Sequence, residues 1–169
     1  MSAIVSTKRE SSIRRTAENL VLSAIRFCGS AEVRTVLQIL PTVEAVFECS
    51  ISVVERQLPS EVLGFVEATG SSEFQIVISR QCATKQHTLA HELGHVVLGH
   101  RHCCLDDIEV PDESYRDLAR FLAGAPLDDQ VQALEWEAEV FADRLMEMLE
   151  DTVSTVQPGA FVWKAALTL

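Results

Sequence analysis

His91, Glu92 and His95 stand in the order His-Glu-x-x-His, a spacing that suits a divalent metal. A helix turns about 100° per residue, so side chains four apart project from one face, and both imidazoles can reach a single tetrahedral ion. Glu92 would then stand beside the open coordination position. Zinc lowers the pKa of its bound water toward about 7, and an adjacent carboxylate can take the proton as that water attacks a peptide carbonyl. The bland reading is a helix surface that happens to carry these side chains, because five letters with two free positions can match by accident. The surroundings argue against it. Leu89, Leu93, Val96 and Val97 give the segment a buried side, the run from about Thr84 to Gly99 reads as a helix, and strand-like runs precede it.

A catalytic zinc needs a third protein ligand. The metzincin pattern places Gly three residues and His six residues beyond the second histidine, where this chain has Leu98 and Arg101, so that class fails by one residue. His100 is a poor substitute, since on a continuous helix it lies about 180° from His91. Downstream, Glu135, Glu137 and Glu139 fall within a helical pattern. Glu135 and Glu139 share one edge of its apolar stripe, and Glu137 borders the opposite edge. Periodicity alone does not choose between the edges, and the ordinary role of an arbitrary glutamate is a solvated helix face.

The elements that must position these residues follow from the pattern. Ile13, Ala17, Leu20, Ala24 and Phe27 recur at helical spacing from about Ser12 to Cys28, with Gly29 as a stop. A second helix is expected from Ala31 to Leu40 or beyond, its end blurred by Pro41. Three short β-branched and aromatic runs follow, Ser50–Val54, Val62–Val66 and Phe74–Ile78, with a turn at 69–72 between the last two. A long helix from about Leu127 to Glu150 carries Val131, Leu134, Ala138, Phe141, Leu145 and Met148 as its stripe. The expected fold is α+β: a single zincin-like domain spanning 1–169, with a core at about 12–150 and a weakly patterned tail at 151–169. In it a small, largely antiparallel three-stranded sheet packs on the His-Glu-x-x-His helix and on a second, ligand-bearing helix.

A net charge of -11 excludes the basic face that phosphate binding needs, so neither nucleic acid nor an anionic membrane is an expected partner. A basic protein is. No apolar run approaches the roughly 20 residues of a membrane span and the N-terminus carries no apolar signal segment, which points to the cytoplasm. Five cysteines at irregular spacing, without a Cys-x-x-Cys pair, read as free thiols. His100, Arg101, His102, Cys103 and Cys104 match no common zinc pattern and read as a surface loop with incidental thiols. Tyr115 could stabilise an oxyanion, although a half-buried aromatic is its ordinary role.

The run Thr88–His100, with Glu135-x-Glu137-Ala138-x-x-Phe141-Ala142 downstream, closely resembles the ImmA/IrrE metallopeptidases of bacteria and their mobile elements. Leu58–Phe65 and the strand after it fit the same order of elements, so the resemblance covers about Ser12 to Met148. It implies His91 and His95 as zinc ligands, Glu92 as general base and Glu135 as third ligand, the first acid of a Glu-x-x-Ala pattern. Glu139 stands where Asn or Asp is usual and is expected to hydrogen-bond a ligand; Glu137 has no role in this scheme. The family's Leu-Leu-Met-Pro-like ending is replaced by Arg144-Leu145-Met146-Glu147, without the proline. By the same resemblance the substrate is a protein such as a basic helix-turn-helix repressor. Alternatives are a regulatory module that keeps the zinc fold without turnover, or a maturation peptidase for a small peptide. Intact His91, Glu92 and His95 favour an enzyme. A substrate held extended across the metal would add to a sheet edge that Phe74–Ile78 forms or adjoins, and the acidic stretch 105–113 would select a basic target.

Overall fold

The computed structural model describes residues 3–28, 33–100 and 129–154. His102, Cys103, Cys104, Tyr115, the acidic stretch 105–113, Gly29 and the tail beyond 154 lie outside them. The described elements are α1 (Ala3–Cys28), a short 3-10 turn (Val36–Gln38), α2 (Leu40–Phe47), β1 (Ser50–Arg56), β2 (Gly64–Gly70), β3 (Glu73–Ser79), α3 (Lys85–Leu98) and α4 (Asp129–Ser154). The architecture is α+β.

The sheet differs from expectation. Its order is β1-β3-β2, with β1 parallel and β2 antiparallel to β3, so it is mixed rather than largely antiparallel. The β2–β3 hairpin turns at Ser71 and Ser72, but the connection from β1 to β2 crosses to the far side of β3. The sheet's apolar alternation accounts for the crossing. Ile76, Ile78, Val66 and Ile51 point to the helices, while Val77 and Phe65 point outward and are covered by Leu58 and Val62 of the connection itself. The central strand is therefore β3, and among the described residues the sheet's edges are β1 and β2, so Phe74–Ile78 adjoins an edge rather than forming one.

The helices also depart from the pattern in detail. Pro41 sits in the first turn of α2 rather than ending a helix, a position where the missing N–H costs nothing. Phe27 is exposed, while Val21 joins Ile13, Ala17, Leu20 and Ala24 in the buried face of α1. That face packs on α4, where Ala138, Phe141, Ala142, Leu145 and Leu149 are buried. α4 in turn packs on α3, and α3 on β2 and β3. Arg144 donates hydrogen bonds to Glu18 of α1 and to Glu147, and the helix runs on to Ser154. No helix among the described residues is long and apolar enough to cross a membrane.

A candidate metal centre between two helices

α3 is held against the sheet and against α4 at points where there is no room for a side chain. A β-carbon on Gly64, the first residue of β2, would stand 2.8 Å from Thr88 Cγ2. One on Gly94 would stand 3.1 Å from Phe141 Cδ1 and 3.2 Å from the Ala138 carbonyl oxygen. These close approaches bring the His-Glu-x-x-His face of α3 within reach of carboxylates on α4.

The two helices run antiparallel, and their polar faces interleave at one-turn intervals. His87 lies 3.3 Å from Asp143, His91 lies 3.0 Å from Glu139 through Nδ1, and Glu135 lies between His91 and His95. The Nε2 atoms of His91 and His95 are 3.2 Å apart; Glu135 places one oxygen 3.1 Å from His91 Nε2 and the other 3.6 Å from His95 Nε2. Two ligands about 2.0–2.1 Å from a tetrahedral zinc stand about 3.3 Å from each other, so this donor set has the span of a zinc site. Two imidazoles and a carboxylate are also the right donor chemistry. Glu135 is the acid that converges with the histidines; Glu139 reaches the far nitrogen of His91, and Glu137 lies on the other side of the helix.

Burial opposes a charge on His91, but Glu135, Glu92 and Glu139 outweigh it and push its pKa up to about 9. Burial would likewise raise Glu135, yet hydrogen bonds with His91 and His95 hold its carboxyl well below the usual range. Glu92 is buried, and desolvation pushes it up to about 7 against the pull of His91 and His95. With His91, Gly64 and Thr88 it lines a groove of about 380 Å³ that also reaches Glu61 and His87.

His100 is the largest departure from the sequence reading. It is buried, 4% exposed, rather than on the surface. α3 ends at Leu98, and Gly99 takes a left-handed φ of 71° that turns the chain back, with the His100 N–H donating to the His95 carbonyl at 2.9 Å. Its ring thereby stacks edge-on to His95, and the two Nδ1 atoms are 3.1 Å apart. It does not join the converging ligand atoms. Glu137, buried as well, meets His100 Nε2 at 3.2 Å and accepts hydrogen bonds from Nε and Nη2 of Arg9 on α1. The helix-stop glycine before His100 was a signal for this fold-back; nothing in the sequence pointed to Arg9. A second group, His87, Glu139 and Asp143, also brings ligand atoms within 4.8 Å of one another, but all three side chains are substantially exposed and Glu139 is engaged with His91.

No protein-family model, no curated protein and no solved structure matches this chain.

Proposed function

We propose that the chain is a zinc-dependent peptidase of the ImmA/IrrE type, with a zincin-like arrangement of its sheet and two helices. The observation that carries this reading is the convergence of His91 Nε2, His95 Nε2 and Glu135, with ligand atoms within 4.8 Å of one another, beside the buried carboxylate of Glu92. When bound, zinc supplies a Lewis acid and a water acidic enough to ionise near neutral pH. His91, His95 and Glu135 hold it, and Glu139 orients the His91 ring through Nδ1. Glu92 takes the proton released at the water and passes it to the leaving amine. A carboxyl poised near neutrality by burial suits both halves of that transfer.

The substrate lies in the groove between Glu92 and the start of β2. Among the described residues β2 is an edge strand of the sheet, and its first residue, Gly64, abuts α3, so an extended peptide running beside it can cross the metal in one conformation. The protein target is a basic one, such as a DNA-binding repressor. The net charge of -11 supports this through electrostatic attraction, and the motif's likeness to ImmA/IrrE peptidases points the same way. The test is incubation of the zinc-loaded protein with extended peptides and with a basic helix-turn-helix repressor. Cleavage by the wild type and none by Glu92→Gln supports the reading. Intact substrates under the zinc-loaded wild type overturn it.

A further inference from the structure

The contacts behind His95 form a chain of their own, and the direction of each hydrogen bond in it is fixed by the one before. Arg9 has donors only, so both Glu137 oxygens accept from it. Glu137 is thereby an ionised acceptor, and His100 Nε2, 3.2 Å away, must carry the proton and donate. With its N–H on Nε2 engaged by Glu137, His100 presents the Nδ1 lone pair of the neutral ring as an acceptor. The partner at 3.1 Å, His95 Nδ1, is then the N–H donor. This leaves the lone pair of His95 on Nε2, facing His91 and Glu135.

We propose that Arg9, at the surface, and the buried Glu137 and His100 form an orienting chain that fixes His95 in the tautomer with its Nε2 lone pair presented to the metal, so that α1 takes part in metal binding. The inference rests on the metal-centre reading above. It gives function to three residues that touch neither metal nor substrate. They are positioning residues: partners that set a ligand's tautomer and ring orientation are each worth about 10–100-fold in metal affinity. A purely structural alternative exists. The same contacts could do no more than fasten α1 to α4, as the Arg144–Glu18 pair does. The two roles differ in what they change, metal affinity and tautomer in the first, fold stability alone in the second.

Zinc titration of the metal-stripped full chain against a competing chelator separates them, with His91→Ala as the control for site-specific binding. Glu137→Leu and His100→Leu should each weaken zinc binding about 10–100-fold. His100→Asn keeps an acceptor for His95 Nδ1 and should recover most of that loss, while Arg9→Met should show a smaller loss in the same direction. Independently of any variant, nitrogen-15 correlation spectra of the metal-free wild type should show His95 protonated on Nδ1, shifting toward Nε2 protonation in His100→Leu. That wild-type spectrum decides the matter even where a buried-site variant does not fold. Affinities within about twofold of wild type, accompanied only by lower melting temperatures, would overturn the proposal, as would a wild-type His95 protonated on Nε2. A wild type that binds no zinc at the His91 site would remove the metal-centre reading itself, and this inference with it.

Discussion

Gly94 and Phe141 meet so closely that a β-carbon at position 94 would lie 3.1 Å from the phenyl ring. This contact sets the distance between α3 and α4, and with it the distance from the two histidines to Glu135. Gly94→Ala should therefore cost about 1–3 kcal/mol of stability through overpacking. It should also weaken zinc binding by moving Glu135 outward. Denaturant unfolding and zinc titration of the same variant check both effects. Wild-type zinc affinity in a folded Gly94→Ala protein would show that the helix spacing is not set there.

The roles of the acids on α4 separate by mutation. Glu135→Ala removes a converging oxygen and should abolish tight zinc binding, whereas Glu139→Ala removes the partner of His91 Nδ1 but no converging oxygen and should cost about 10–100-fold. Metal titration of the two variants decides the order. If Glu139→Ala proved the more damaging, the ligand register on α4 would be shifted by one turn.

Zinc binding should be proton-linked. His91 has its pKa pushed up to about 9 in the metal-free protein, so below that pH an incoming ion must displace its proton. Affinity should thus rise by about tenfold per pH unit between roughly pH 6.5 and 9, then level off. Calorimetry at pH 7.5 in buffers of different ionisation enthalpy should detect about one proton released per zinc. Affinity independent of pH across this range would place the proton elsewhere.

Much of this site was legible because helical periodicity is local. The pairing of His91 with His95, the buried face around Leu89 and Leu93, and the shared edge of Glu135 and Glu139 all follow from 3.6 residues per turn. The limits lie where a local rule meets a chain reversal or a long-range contact. The wheel put His100 on the far side of α3, but the wheel assumes a continuing helix, and Gly99 ends it with a left-handed turn. Arg9 and Glu137 are 128 residues apart in sequence, and no periodicity connects them. The strand runs were visible, yet their order was not. Pairing of β1 with β3 depends on Leu58 and Val62 covering the outer face of the sheet, a tertiary requirement that alternation within one strand does not encode.

The catalytic assignment separates from the metal assignment in Glu92→Gln. The amide keeps the shape of the side chain and all three ligands, so zinc affinity should stay within a few-fold of wild type while peptide hydrolysis falls by about 10²–10⁴-fold. Hydrolysis at the wild-type rate would assign the base to another residue.

The most direct measurement is the zinc stoichiometry of the purified chain by native mass spectrometry, wild type beside His95→Ala and Glu135→Ala. The convergence of His91, His95 and Glu135 predicts one zinc per wild-type chain and none in either variant. A wild type that carries no zinc after incubation with the ion, or variants that retain it fully, would contradict the metal centre on which the proposed function stands.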